Sequence, residues 1–213
     1  MDKLTEFLTK PFLEKDTLNE GARDPGIFKA VFLAGGPGSG KSYVAQKLFG
    51  IPEKFNVSKT GLKMVNQDSE LEMLLKKYYG TTDLDIMPDE LFQDLTGVDR
   101  NGDDVDYDTS GLRKFAKSLS AERLRLYTKG RLGVIIDGTG HKYSSVKEKK
   151  KKLEALGYDC FMVFVNTSLE VALQRNEERE RVVPEKIVRK SWQDVQNNLA
   201  FFNNLEGKEG FIF

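Results

Sequence analysis

The chain has 213 residues and little of what several large classes of protein require. It contains one cysteine and one histidine, Cys160 and His141. A single cysteine cannot form an internal disulfide bond, and the pair supplies too few ligands for a structural zinc site. No apolar run approaches the about 18 residues of a membrane helix, and the amino-terminal residues carry charges where a secretion signal is apolar. We therefore expect a cytoplasmic protein without a membrane partner.

The sequence also lacks a surplus of charge of either sign. Lys and Arg together number 33, as do Asp and Glu, and the pI is near 6.6. A dedicated binder of duplex DNA normally has a basic surplus, so this class is disfavoured. With 39% apolar residues, the chain has the composition of a globular protein and the length of one domain, or of one domain with an insertion.

Apolar patterning predicts alternating strands and helices. Runs rich in β-branched and aromatic residues predict strands over 28–34, 62–66, 132–137, 158–166 and 211–213. Helical spacing predicts helices over 41–49, 71–80, 112–127 and 146–156, a helix capped by Ser168, and a long last helix from Pro184. This order is typical of an open α/β sheet with helices on both faces.

One segment interrupts the alternation. Residues 81–108 contain ten Asp or Glu, and Arg100 is their single basic residue. We interpret residues 81–110 as a helical, acidic insertion over one edge of the site. The stretches 113–131 and 142–152 are basic, so the neutral total conceals opposed charges, although most such runs are solvated helix faces.

The most informative motif is the octapeptide from Gly35 to Ser42, which matches G-x-x-x-x-G-K-[ST] between a predicted strand and a predicted helix. Its glycines allow successive backbone N–H groups to surround a phosphate, and the helix start adds a positive dipole end. Lys41 would reach the β- and γ-phosphates and Ser42 would ligate Mg²⁺. We expect ATP or GTP to be bound by Gly35, Gly36, Pro37, Gly38, Ser39, Gly40, Lys41, Ser42 and Tyr43.

Two carboxylates follow predicted strands. Asp137 ends an apolar strand, where a carboxylate can hold Mg²⁺; the alternative is an aspartate that caps the following turn. Asp68 follows the strand after the P-loop helix, and open α/β sheets bind ligands at the carboxyl ends of their strands. There it could accept the proton of an acceptor hydroxyl, or N-cap the next helix, or do both.

A cluster of arginines follows the fourth predicted strand. The helix after Ser168 loses its apolar spacing in a run that holds Arg175, Arg179 and Arg181. Guanidinium groups suit the spread negative charge of a transferring phosphoryl group. The pattern indicates a lid over residues 175–184, and the alternative is a surface helix with Glu–Arg pairs.

These motifs, with Asn66-Gln67-Asp68, Ile136 to Gly140, Leu156-Gly157-Tyr158 and Arg181 to Pro184, resemble the zeta-toxin-like P-loop kinases. That family, found widely in bacteria and tailed phages, is related to polynucleotide kinase and to small-molecule kinases, and the resemblance covers about residues 27–205. It implies a three-layer P-loop NTPase fold of the α/β class, with a mostly parallel five-stranded sheet of kinase type and helices on both faces.

The resemblance also implies roles for the site residues. Asp68 would be the base on the acceptor hydroxyl. Asp137 and Thr139 would lie near Mg²⁺ and the acceptor. Arg175, Arg179 and Arg181 would supply lid and nucleotide contacts. The acidic insertion is longer than the family's pattern, and no antitoxin-binding element is evident, so the resemblance carries over the reaction class and not the family's nucleotide-sugar substrate.

We therefore predict an Mg²⁺-dependent phosphotransferase. It would move the γ-phosphoryl of ATP or GTP to a hydroxyl of a nucleotide, nucleotide sugar or nucleic acid, without an obligate protein partner. The alternative is a regulatory NTPase or nucleotide-binding interaction protein. The expected organisation is an amino-terminal extension over 1–26, a kinase domain over 27–207 and an edge strand over 208–213.

Overall fold

A computed structural model describes residues 26–51, 57–105, 111–140, 142–179 and 181–212. The amino-terminal extension predicted over residues 1–26 lies outside this range except for Gly26, as do residues 106–110 of the acidic insertion, Glu180 of the proposed lid, and Phe213. Within the described ranges, no helix is both long enough and apolar enough to cross a membrane.

A parallel sheet forms the centre of the fold. Its main strands have four to six residues: β1 Lys29–Ala34, β2 Lys63–Asn66, β3 Val134–Asp137 and β4 Asp159–Phe164. A two-residue segment, β5 Phe211–Ile212, pairs with β4 at the edge, giving the order β2-β3-β1-β4-β5 with every pairing parallel. The α/β class and the parallel sheet predicted from the sequence are confirmed.

Seven helices connect the described strands: α1 Lys41–Phe49, α2 Gln67–Tyr79, α3 Asp89–Thr96, α4 Leu112–Lys129, α5 Tyr143–Ala155, α6 Leu169–Glu177 and α7 Glu185–Gly210. The hydroxyl of Ser168 accepts a hydrogen bond from the Val171 amide and caps α6, as its sequence position predicted. The insertion over residues 81–110 was predicted to be helical, but the bounds of its helix α3 were not predicted. Pro88 is the N-cap of α3 and Gly97 is its C-cap.

The two faces of the sheet bury separate cores. Alternate residues of β1 point to opposite faces, as the pleat of a strand requires. Val31 and Leu33 pack with α1, through residues such as Phe49. Ala30, Phe32 and Ala34 contribute to the other core, which also holds buried residues of α5 and α7, among them Phe202. Helices therefore cover both faces, and the sheet is the middle of three layers.

A third apolar cluster lies in α2, α3 and the first half of α4. Its buried members are Leu71, Leu74, Leu75, Leu84, Met87, Phe92, Leu95, Val98 and Ala116. An ion pair of 2.8 Å between Arg123 Nε and Glu70 Oε1 ties α4 to the start of α2. Since α2 begins directly after β2, this cluster forms a helical lobe beside the carboxyl end of the sheet. The acidic segment is therefore part of a packed unit.

Candidate active site at the carboxyl edge of the sheet

The P-loop is a tight turn between β1 and α1. Gly38 and Gly40 have φ values of +74° and +91°, a conformation that side chains disfavour. Gly40 directly precedes the first residue of α1, and its carbonyl accepts the Val44 amide at 3.0 Å. The backbone amides of the turn therefore lie at the start of a helix, the arrangement that binds phosphate.

Two later helices support this turn from outside. A Cβ atom on Gly38 would lie 2.1 Å from the carbonyl oxygen of Ala172 in α6, and one on Gly36 would lie 3.6 Å from the Cα of Trp192 in α7. The guanidinium of Arg175 also donates to the Ser39 carbonyl at 3.3 Å. The phosphate-binding turn is thus shaped by α6 as well as by its own glycines.

Lys41 extends over the turn. Its ammonium group donates to the carbonyls of Gly35 at 2.7 Å and Gly36 at 3.2 Å. Burial lowers the pKa of Lys41, and the nearby charges of Asp137 and Asp68 oppose this effect. Both carboxylates are therefore close enough to act on the lysine.

Asp137 and Asn66 end neighbouring strands in register. The Asn66 amide donates to Asp137 Oδ2 at 2.8 Å, whereas Asp137 Oδ1 is buried and has no hydrogen-bond partner. Burial raises the pKa of Asp137 to about 6, Lys41 and Arg179 oppose the rise, and Asp68 adds to it. An acceptor oxygen without a donor is what a bound cation would satisfy.

Asp68 lies in the first turn of α2 and its side chain is 60% exposed. The cap of this helix is Asn66, whose side-chain oxygen accepts the Asp68 amide at 2.8 Å. The interpretation of Asp68 as an N-cap is therefore wrong, and its carboxylate is not committed to the helix. Asn66, which the sequence analysis left without a role, contacts both Asp68 and Asp137.

The arginines reach this cluster from α6 and the segment after it. Arg181 Nη2 lies 3.1 Å from Asp68 Oδ1, and Arg181 Nε lies 3.7 Å from Glu72 Oε1. The Arg181 side chain is only 11% exposed. Arg179 is near enough for its charge to act on the pKa values of both Lys41 and Asp137. Glu72 was not singled out in the sequence because helical periodicity gave it no special place.

The remaining predicted residues lie around the same turn. The Thr139 carbonyl accepts the Gly35 amide at 3.1 Å, which joins the segment after β3 to the P-loop. Ser42 and Tyr43 are exposed in the first turn of α1. The Tyr43 ring lies beside Lys47, whose ammonium is 5.5 Å from the ring centre. Among the described residues, no three His, Cys, Asp or Glu side chains gather as a metal site.

This chemistry agrees with magnesium rather than with an all-protein metal cage. Mg²⁺ usually takes one or two carboxylates and completes its shell with water and substrate phosphates. Asp137 supplies a buried carboxylate oxygen without a donor, and Ser42 supplies a hydroxyl at the start of α1. The residues present therefore fit a magnesium nucleotide.

Comparison with known proteins decides the family. A model of an AAA domain matches residues 31–202, which is most of the chain. This protein belongs to that AAA-domain family. No curated protein sequence matches the chain. The family and the P-loop between β1 and α1 together place it among domains with a P-loop kinase-like fold.

Solved structures share the fold at low sequence identity. A chain of the AvrRxo1-ORF1:AvrRxo1-ORF2 complex has a TM-score of 0.55 and 13% identity over 95% of this chain and 54% of its own. A chain of the Pnkp1/Rnl/Hen1 RNA repair complex has a TM-score of 0.54 and 17% identity over 88% of this chain and 49% of its own. A chain of the PezAT toxin–antitoxin system of Streptococcus pneumoniae has a TM-score of 0.51 and 16% identity over 93% of this chain and 72% of its own. This AAA-domain protein therefore spans about half the length of two of these neighbours.

Proposed function

We propose that this AAA-domain protein is a magnesium-dependent kinase that transfers the γ-phosphoryl of ATP or GTP to an alcohol. The observation that carries the proposal is the convergence of Lys41, Asp137 and Asp68 at the carboxyl edge of the sheet, where both carboxylates act on the pKa of Lys41 and Asp68 also acts on the pKa of Asp137. A P-loop alone indicates a nucleoside triphosphate. A second, exposed carboxylate beside it is what a phosphoryl acceptor requires.

The P-loop would hold the donor. The backbone amides of Gly36 and of residues 38–42 would surround the phosphates, and Lys41 would exchange its bonds to the Gly35 and Gly36 carbonyls for phosphate oxygens. Asp137 and Ser42 would hold magnesium, which when bound neutralises charge on the β- and γ-phosphates. Asn66 would keep the Asp137 carboxylate turned so that Oδ1 faces the site.

Asp68 would act as the general base. As the acceptor oxygen forms its bond to the γ-phosphorus, the bond from that phosphorus to the bridging oxygen breaks, and the acceptor proton passes to Asp68. The products are a phosphorylated alcohol and a nucleoside diphosphate. Because the Asp68 side chain is 60% exposed, an acceptor can approach its carboxylate. Arg181 Nη2 lies 3.1 Å from Asp68 Oδ1 and would hold that carboxylate in position.

Arg175, Arg179 and Arg181 would stabilise the charge on the transferring group. Arg175 already lies against the P-loop carbonyl of Ser39, and Arg179 acts on Lys41 and Asp137. Arginine remains ionised and presents several donors in one plane, so it suits three equatorial oxygens that share charge. Residues 175–184 are the proposed lid.

The acceptor class is a phosphate-bearing molecule: a nucleotide, a nucleotide sugar or a nucleic acid. Positive charge near Asp68 supports this choice. Arg181 lies beside Asp68, and the basic stretches of α4 and α5 belong to helices on one face of the sheet. The solved neighbours include proteins of RNA repair and of a toxin–antitoxin system, and those activities are theirs.

Transfer of a labelled phosphoryl group tests the proposal. The protein is incubated with Mg²⁺, γ-labelled ATP or GTP, and nucleosides, nucleotide sugars or oligonucleotides with free hydroxyl ends. We expect label on at least one acceptor class. Asp68→Asn should lower transfer by about 100-fold or more, since positioned general bases contribute about 10² to 10⁴. Lys41→Ala should also lower transfer by about 100-fold or more, since it removes the positive charge that would contact the phosphates.

The exposed Asp85 of the helical lobe offers a matched control, and Asp85→Asn should transfer at the rate of the unmodified protein. Asp68→Asn should still bind ATP, because the P-loop is untouched. Label released only as inorganic phosphate would contradict the kinase and favour a regulatory NTPase. Full transfer by Asp68→Asn would remove Asp68 from the role of base.

A further inference from the structure

Asn176 is a buried polar residue in the last turn of α6 that takes no part in the site chemistry described above. It is 3% exposed. Its amide nitrogen donates to the Val183 carbonyl at 2.7 Å, and its amide oxygen accepts the Val183 amide at 3.1 Å. Both polar atoms of the side chain thus bond to the backbone of one residue, seven positions further along.

The backbone of Asn176 strengthens this connection. Its carbonyl accepts the amide of Glu178, which ends α6, and the amide of Arg179 at 3.4 Å. On the other side, Val183 precedes Pro184, which keeps it in an extended conformation, and the Pro184 carbonyl accepts the amides of Ile187 and Val188 in the first turn of α7. Asn176 therefore fastens the end of α6 to the start of α7.

These hydrogen bonds of Asn176 hold a short turn that carries Arg179 and Arg181. Arg181 reaches Asp68 at 3.1 Å, and Arg179 acts on Lys41 and Asp137. One turn of helix earlier, Arg175 contacts the P-loop, and Ala172 packs on Gly38. Because α6 is fixed against the P-loop, the position of the turn relative to the phosphates depends on the bonds of Asn176.

We propose that Asn176 is a positioning residue for the phosphoryl-transfer site: its side chain sets where Arg179 and Arg181 stand over the phosphates and Asp68. This inference rests on the proposed kinase function for its kinetic consequence, but the placement of the turn is independent of it. A buried carboxamide is costly unless both its donor and its acceptor are paired, and here both are paired only while the turn is in place.

Two variants separate positioning from simple destabilisation. Asn176→Ala removes both side-chain bonds. Asn176→Asp keeps the acceptor for the Val183 amide but turns an oxygen toward the Val183 carbonyl. Asn197→Ala is the matched control, since Asn197 lies on an exposed face of α7 and accepts from Gln193 one turn earlier.

We expect Asn176→Ala to lower kcat by about 10- to 100-fold and to change KM for ATP by less than about threefold, because a misplacement of about 1 Å in a positioning element can cost about 100-fold. In a background in which Arg179 and Arg181 are both replaced by Ala, the same substitution should cost less than about threefold, since it acts through arginines already removed. Asn197→Ala should leave kcat unchanged.

Limited trypsin digestion gives a readout that needs no activity. Breaking the bonds of Asn176 should speed cleavage after Arg179 and Arg181 by about tenfold, while cleavage after Arg125 in α4 stays at the rate of the unmodified protein. Faster cleavage of Asn176→Ala at every site would indicate global unfolding of that variant. Asn176→Asp is then compared with the unmodified protein in its place.

The outcomes distinguish this inference from the proposed function. If the unmodified protein transfers no phosphoryl group, the kinase proposal fails and trypsin cleavage alone decides the placement of the turn. Unchanged cleavage after Arg179 and Arg181 in both Asn176 variants would overturn the inference. So would a loss of kcat that is equally large with and without Arg179 and Arg181.

Discussion

At the scale of single residues, the site is built around a carboxylate held in an unfavourable environment. Asp137 is partly buried at the end of β3, its Oδ1 is buried and unpaired, and its pKa is raised to about 6. Ionised Asp137 therefore destabilises the nucleotide-free fold, and the proposed magnesium ion would relieve this cost. Such a trade of stability for function is typical of active sites.

The pH dependence of stability follows from this raised pKa. Between its ordinary value near 3.8 and about 6, the folded state holds the Asp137 proton more tightly than the unfolded state does. The contribution of Asp137 is thus favourable at low pH and is lost as the pH rises through about 6. The loss is on the order of 3 kcal/mol at 1.36 kcal/mol per pKa unit.

Asp137→Asn should remove this loss, because an amide stays neutral and can still accept from Asn66. We expect a higher free energy of unfolding than the unmodified protein at pH 7.5, by about 1 to 3 kcal/mol, and a difference of about 1 kcal/mol or less at pH 4.5. Urea unfolding at several pH values without magnesium measures this. The same variant should lose phosphoryl transfer. A variant less stable than the unmodified protein at pH 7.5 would contradict this account.

At the scale of elements, the P-loop depends on a helix that lies far from it in sequence. The carbonyl of Ala172 in α6 approaches Gly38 so closely that a Cβ atom there would lie at 2.1 Å. Two separate demands therefore fall on this position, a φ of +74° and the absence of a side chain. The P-loop motif explains the positive φ value, and only the packing of α6 explains why the position has no room for a side chain.

Gly38→Ala and Gly80→Ala separate these two demands. Gly80 ends α2 with a φ of +71° and has no atom within 4 Å of an added Cβ. Gly80→Ala should therefore cost only the backbone term, about 1 to 2 kcal/mol. Gly38→Ala should cost about 1 to 3 kcal/mol more, the price of overpacking, and should abolish ATP binding. Urea unfolding measures the two losses of stability, and calorimetric titration measures ATP binding. Equal losses of stability in the two variants would contradict this prediction.

At the scale of the whole molecule, α7 connects the end of the described chain to the site. Phe202 is 0% exposed and packs against Tyr143 and Phe164. An added Cβ on Gly140 would lie 3.3 Å from the Phe202 ring, so this ring lies directly under the turn that follows Asp137. The last helix thus packs under the end of the site where magnesium is proposed to bind.

The neighbouring pair Phe201 and Phe202 tests this support. Phe202→Ala should lower the free energy of unfolding by about 3 to 5 kcal/mol, since it empties a buried aromatic position. Phe201 is 55% exposed, so Phe201→Ala should cost about 1 kcal/mol or less, mainly its contact with Tyr143. Chemical denaturation measures both losses. Similar losses for the two variants would show that α7 is not packed as described.

Several features of this protein follow from local sequence alone. The apolar runs locate the four main strands to within two residues at each end, since buried parallel strands need apolar side chains on both faces. The P-loop follows from its glycines and its position between strand and helix. Ser168 and Gly80 could be read as helix ends because capping depends on neighbours in sequence.

Other features depend on contacts between distant residues, and no local pattern encodes them. The N-cap of α2 is Asn66 rather than Asp68, a choice set by the register of β2 beside β3. The pairing of Arg181 with Asp68 and the bonds of Asn176 to Val183 likewise arise from how α6 and α7 cross the sheet edge. The sequence by itself determined the class of fold and the phosphate-binding turn, because both are local. Only the tertiary structure decided which side chain caps α2, which carboxylate stays exposed and which arginine reaches it, because those outcomes depend on distances through space.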